Sequence, residues 1–222
     1  TVVTATDCKL LCIEGPALRT LIEESNVVAR NLLRMFARRL RHDNLLVSRT
    51  LEEQDELQSR AHRDALTGLY NRRWFDNALA VLMDHHRARG GRLSLLMIDI
   101  DRFKRVNDTH GHPTGDRAIC AIAEVLRAET RAADHAARVG GEEFAVLLPH
   151  TGGEEAAHIA ERIRHAVRQR PIAAPDGVML PPVTVSIGIA EASPEETEQN
   201  LLARADAALY KAKRAGRDRV MC

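Results

Sequence analysis

Residues 94–108 read SLLMIDIDRFKRVND. Ser94–Ile98 is an apolar run of strand length, and it gives way to Asp99 and Asp101, two acids that an extended chain places on one face. Two more strand-like runs follow, FAVLL at 144–148 and VTVSIGIA at 183–190. Apolar residues at helical spacing fill the intervals at 118–128, 154–167 and 201–215. Alternating strands and helices predict a central, mainly antiparallel sheet covered by helices, an α/β (α+β) domain.

The acids at the end of the first run point to chemistry. Mg²⁺ takes oxygen ligands and commonly bridges one or two carboxylates to substrate phosphates, so an acid pair followed by Lys104 predicts a metal with a phosphate; surface acids at a strand end are the plain alternative. A second cluster strengthens the metal reading. Residues 139–144 read VGGEEF, two glycines and two adjacent acids before an apolar strand, the pattern of a hairpin tip. Gly140 and Gly141 let backbone approach a bulky ligand, and Glu142 and Glu143, beside Asp99, would complete a metal site or take a proton from an attacking hydroxyl.

Composition narrows the classes. The 222 residues are 45% hydrophobic and 28% charged, enough for a packed core. Lys plus Arg (32) nearly cancel Asp plus Glu (31), so no global field draws the chain to nucleic acid, and aromatic residues for base stacking make up only 3%. The longest stretch without Asp, Glu, Lys or Arg is Gly177–Ala190, 14 residues interrupted by Pro181 and Pro182, too short to cross a bilayer. The opening TVVTATDCKL lacks a secretion signal, which predicts a cytoplasmic protein, and the missing initiator Met suggests a fragment. Cys8, Cys12, Cys120 and Cys222 form no CxxC pair, so reduced thiols and no zinc site are expected.

Residues 1–13 are rich in β-branched and apolar types and read as a strand or hairpin remnant, broken by Gly15 and Pro16. From Ala17 to about His62 the pattern is helical. Leu33, Leu40 and Val47 recur every seven residues with Ala37, Asn44 and Leu51 interleaved, the spacing of a coiled-coil seam in which an Asn sets a two-stranded register. The seam decays to Gln54 and Gln58, so a dimer coil and an amphipathic helix packed on its own domain both fit; either is a connector.

Four motifs together carry a family resemblance: DALTGLYNRR at 64–73, IDIDRFKRVND at 98–108, GHPTGD at 111–116 and GGEEF at 140–144. They resemble the GGDEF family of diguanylate cyclases across residues 63–222. The resemblance implies a palm-like fold shared with other nucleotidyl cyclases and condensation of two GTP molecules into cyclic di-GMP with release of two pyrophosphates. It implies metal ligation by Asp99, the Ile100 carbonyl, Glu142 and Glu143, with Mg²⁺ or Mn²⁺ as the ion and Glu142 as candidate base. Lys104, Lys213 and Arg217 match cations near the phosphates, and Phe103 with the start of the next helix would offer backbone N–H groups to them. Asn107 and Asp116 match the guanine contacts; a carboxylate accepts from guanine N1–H and its amine, a donor pair adenine lacks. His112 lies close by in the motif, either a ligand or a structural hydrogen-bonder. Asp64 and Arg73 read as structural ion partners rather than catalysts.

Arg131 and Asp134, with five residues between Asp134 and Gly140, match the family's inhibitory product site in type and spacing, with Arg162 as a secondary contact; an ordinary loop ion pair is the alternative. Because each site holds one GTP and the product joins two, the resemblance implies a homodimer, and a coiled coil would raise the concentration of one half-site near the other. Residues 1–41 resemble the last strands and long helix of cyclic-nucleotide-binding sensor domains, but the phosphate-cradling cassette is absent, so a cyclic nucleotide would bind there only in a longer chain. The expected division is a sensor remnant at 1–25, a helical coiled-coil linker at 26–62 and the cyclase domain at 63–222. The rival from another class is a catalytically silent module that binds GTP or cyclic di-GMP; the retained acids argue against it.

Overall fold

The computed structural model describes residues 14–25, 27, 30 and 62–222. The chain divides between Leu57 and Gln58 into two units. In the first, α1 spans Gly15–Glu24 and begins where the sequence places a break, because Pro16 is tolerated in a first helical turn. The expected strand remnant at 1–13 and the heptad seam from Leu33 to Leu51 lie outside the described residues.

The second unit is built on a six-stranded sheet. β1 (Tyr70–Asn71), β2 (Leu93–Ile100), β3 (His135–Arg138), β4 (Glu143–Pro149), β5 (Val185–Glu191) and β6 (Val220–Met221) lie in the order β1-β3-β4-β2-β5-β6. The four inner strands pair antiparallel, and the two-residue edge strands pair parallel. The helices are α2 (Arg72–Arg89), α3 (Phe103–His110), α4 (His112–Glu129), α5 (Gly153–Gln169) and α6 (Glu198–Arg214). The expected mixed fold with a mainly antiparallel sheet is what forms.

β2 is buried at every position, which explains why its sequence shows no alternation. Its even residues Leu96, Ile98 and Ile100 join Phe144, Val146, Leu148, Ile187 and Ile189 in a core roofed by Ile119, Ile122 and Leu126 of α4 and Ile159 and Ile163 of α5. Its odd residues Leu93, Leu95 and Met97 face the opposite way with Phe75, Leu79 and Met83 of α2 and Leu201, Ala205 and Leu209 of α6. Each fully buried side chain of this kind contributes roughly 1.5–3 kcal/mol.

Local features beyond periodicity place two of the helices. α2 has a stretch of mixed polarity, DHHRAR, over its last turns, so its start is set by a cap instead: the Asn71 side chain accepts from the Trp74 N–H at 3.0 Å. Gly188 of β5 places α6. A Cβ there would overlap the Ala205 carbonyl and the Leu209 N–H, so glycine lets the helix backbone lie directly on the sheet.

Candidate active site

Strand alternation puts Asp99 on the same face as Leu95 and Met97, toward α6. In the ladder it stands opposite Glu143 of β4 and Ser186 of β5. Asp99 is only 5% exposed, and its Oδ2 lies 2.7 Å from Lys213 Nζ near the end of α6. Burial pushes the Asp99 carboxyl above the usual carboxylate range; Lys213 pulls it back, while the charges of Glu143 and Asp101 add to the rise.

Glu142 sits at the tip of the β3–β4 hairpin, and its backbone carbonyl accepts from the Ile100 N–H at 3.3 Å, joining the tip to the end of β2. The Ile100 N–H is thereby engaged, and its side chain is buried. Burial also raises the Glu142 carboxyl, Asp99 and Glu143 reinforce the rise, and Lys213 opposes it. Asp99, Glu142 and Glu143 form an all-oxygen donor set of a kind that favours a hard divalent cation. The fit is in chemistry rather than in a ready cage, since the described residues hold no preformed cluster of three His, Cys, Asp or Glu side chains at metal-binding geometry.

Asp101 shares the Asp99 face as expected, since its N–H continues the ladder to the Thr184 carbonyl and its carboxylate meets Ser186, which stands opposite Asp99, but it is used for structure. The Asp101 carboxylate accepts from Thr184 Oγ1 at 2.7 Å, Ser186 Oγ at 2.6 Å and the Asp218 N–H at 2.9 Å, tying the β2–α3 turn to β5 and to the loop after α6.

α3 begins at Phe103 after Arg102 in left-handed conformation, and no side chain caps it, so its first N–H groups are available to an anion. Lys104 is exposed in that first turn. On the same helix Asn107 is half-buried; its Oδ1 has no partner and packs directly over Gly115 of α4, where a Cβ would overlap it. Asp116 is exposed next to Gly115 and, with Leu66 and Cys120, lines a cavity of about 470 Å³. His112 is exposed at the first position of α4.

Residues 61–219 match the family described as diguanylate cyclase, GGDEF domain. The chain belongs to the GGDEF family of diguanylate cyclases. It is 44% identical over 180 residues to diguanylate cyclase DgcM of Escherichia coli, covering 81% of this chain and 42% of that protein. It is 37% identical over 205 residues to diguanylate cyclase VdcA of Vibrio cholerae, covering 92% of this chain and 59% of that one. The chain thus spans about half the length of these curated relatives. Among solved structures, the coiled coil and GGDEF domain of DgcB from Caulobacter crescentus in complex with c-di-GMP superimposes with a TM-score of 0.78 at 37% identity, over 84% of this chain and 98% of that one.

Within this GGDEF domain the structure gathers Asp99, Glu142, Glu143 and Lys213 into one charged cluster. Neither Lys104 nor Arg217 bonds to it; Arg217 lies in the loop after α6, on a separate cavity. The Arg131–Asp134 turn closes through the backbone, with Asp134 Oδ2 accepting from the Arg131 N–H at 2.8 Å. It is not a loop ion pair, because the Arg131 guanidinium reaches Glu155 of α5 at 2.9 Å instead. Arg162 binds Glu129 through both its side-chain and backbone oxygens.

Asp64 is a structural ion partner as expected, but of Arg138; among the described residues Arg73 forms no ion pair. Arg138 went unread, and it holds the hairpin tip: it donates to the Gly141 carbonyl at 2.7 and 3.2 Å and to Asp64 at 3.2 Å. Its signal was a lone cation two residues before the glycine pair. Asp206 was also missed. Burial and the Glu143 charge raise its carboxyl, against the pull of Arg72 and Lys213; its spacing of seven from Lys213 on α6 was the available clue. Both described cysteines, Cys120 and Cys222, are free. Among the described residues no helix is long and apolar enough to cross a membrane.

Proposed function

We propose that this chain is a diguanylate cyclase that condenses two GTP molecules into cyclic di-GMP and two pyrophosphates. The observation that carries the reading is the buried Asp99, in register with Glu143, beside Glu142 and held by Lys213. In each half-reaction the ribose 3′-oxygen of one GTP bonds to the α-phosphorus of the other, the bond to the β-bridging oxygen breaks, and pyrophosphate leaves. The 3′-hydroxyl proton passes to a carboxylate, and Glu142 suits the task because burial and Asp99 raise its proton affinity.

Asp99, Glu142, Glu143 and the Ile100 carbonyl would hold a divalent metal, Mg²⁺ with Mn²⁺ as substitute, which when bound would neutralise phosphate charge. Lys104, Lys213 and Arg217 would bind phosphate oxygens, with the uncapped N–H groups at Phe103 beside them. The unpartnered Asn107 Oδ1 and the Asp116 carboxylate are acceptors suited to the donor edge of guanine, with His112 at the same helix junction.

Arg131, Asp134 and Arg162 form the proposed inhibitory product site. Two half-sites must face each other, so the active form is a homodimer, with residues 26–62 as helical linker and 1–25 as the end of a sensor domain; GTP chemistry places it in the cytoplasm.

Incubating the chain with GTP and Mg²⁺ while following products by mass tests the reading. Cyclic di-GMP formed faster than linearly with protein concentration supports it. GTP binding without product favours the silent sensor.

A further inference from the structure

A cavity of about 500 Å³ opens beside the carboxylate cluster but shares none of its residues. Its walls are Arg102, Arg105 and Thr109 along α3, the segment Leu180–Thr184, and Gly216–Asp218 after α6. Lys104 is absent from the lining, as are Asn107 and Asp116.

The charges in this cavity do not balance. Asp101 is consumed by Thr184, Ser186 and the Asp218 N–H. Asp218 is neutralised from outside, by Arg164 at 2.6 Å and Arg168 at 2.7 Å. Among the described residues the guanidinium groups of Arg102, Arg105 and Arg217 have no carboxylate partner, and all three line the space. Three free cations around two satisfied acids leave a positive concavity.

The backbone agrees. Four described non-glycine residues have positive φ, and three of them, Arg102 (54°), Arg217 (64°) and Asp218 (44°), line this cavity. Strained residues persist where surrounding bonds over-determine them. Here Asp101 fastens both walls at once, one through chain continuity with Arg102 and the other through the Asp218 N–H.

We propose that this cavity is a binding site for inorganic pyrophosphate, the leaving group of the cyclisation, a step beyond the substrate's phosphate contacts. The inference rests on the proposed cyclase reading. Pyrophosphate matches the site because it is compact, multiply charged and free of any base, and it pairs with guanidinium groups through two oxygens at a time. Arg217, proposed to touch the substrate phosphates, also lines the cavity, so it stands at the boundary between the two sites.

Calorimetric titration of the intact chain with inorganic pyrophosphate, and separately with a non-hydrolysable GTP analogue, tests the site without turnover. Arg102→Ser and Arg105→Ser should each weaken pyrophosphate binding about tenfold while GTP-analogue binding stays within about twofold. Both side chains are exposed and unpartnered, so the variants keep the fold. No pyrophosphate binding, binding indifferent to both substitutions, or equal weakening of both ligands overturns the proposal. If pyrophosphate binding depends on these arginines but the chain makes no cyclic di-GMP, the site stands and the cyclase reading falls. Cyclic di-GMP production with indifferent variants sinks the inference alone.

Discussion

Lys213 Nζ lies 2.7 Å from Asp99 Oδ2, a side-chain ion pair that bridges the last turns of α6 and the end of β2. Removing the lysine leaves a buried carboxylate whose proton affinity is already raised by burial. Lys213→Ala should cost about 1–3 kcal/mol of stability at pH 8. The folded-state pKa of Asp99 rises further without Lys213, so the penalty applies where Asp99 must stay charged and fades as pH falls and the carboxyl takes a proton. Denaturant unfolding at pH 8 and pH 5 checks this: the cost should be smaller at pH 5, and an equal cost at both would exclude Asp99 as its source.

Among the described residues no side-chain hydrogen bond involves Glu142, so its proposed role as the base can be tested without unpairing a partner. Glu142→Gln should reduce cyclic di-GMP formation by about 10³-fold or more while the melting temperature holds within a few degrees. Retained turnover would move the base elsewhere.

Asp64 supports the hairpin tip through Arg138 and caps its own turn through the Thr67 N–H and Oγ1. Burial alone would raise its carboxyl, but the bonds from Thr67 and Arg138 win, and its pKa falls below the ordinary 3.8. A lowered pKa stabilises the fold above the unfolded value, and that stability is lost as pH drops from about 3.8 through the folded value. Asp64→Asn should therefore cost about 1–2 kcal/mol at pH 7, and the gap to the parent should narrow below pH 3.8. Paired unfolding curves across that range decide it.

Gly115→Ala would force a Cβ into Asn107 Oδ1 and against the Phe103 ring. The expected result is a loss of about 1–3 kcal/mol and a rise in KM for GTP, because the displaced amide is the proposed guanine acceptor. The double variant Asn107→Ala/Gly115→Ala should recover stability without recovering KM; stability that stays lost would point to Phe103 as the obstacle.

Arg131 is held by Glu155 across an exposed 2.9 Å ion pair. At the proposed inhibitory site, cyclic di-GMP would have to displace that partner to use the guanidinium. Glu155→Gln should tighten product inhibition about two- to fivefold, the equivalent of an exposed pair, and Arg131→Ala should relieve it. Inhibition unchanged in both would place the product site elsewhere.

Three of the four inner strands were legible because β2, β4 and the body of β5 are continuous apolar runs, whereas the four-residue β3 was not read. β1 and β6 were not, because a two-residue strand has no periodicity and exists only through its neighbour's open edge. Asp99, Glu142 and Glu143 were readable as a cluster since an apolar strand ending in acids is a local pattern. Asp101 keeps to the Asp99 face as the alternation predicts, but its structural use was not legible, because its donors Thr184, Ser186 and the Asp218 N–H come from distant segments.

The sequence by itself determined the layered mixed fold, the family and the identity of the acids, all of which follow from local patterns and short motifs. Only the tertiary structure decided which cation meets which acid. Lys213 reaches Asp99 across more than a hundred residues because Gly188 seats α6 against β5, and Arg138 rather than Arg73 meets Asp64 because β1 pairs with β3. Ion pairing depends on distance in space, and that distance is set by the packing of distant elements, which no local pattern encodes.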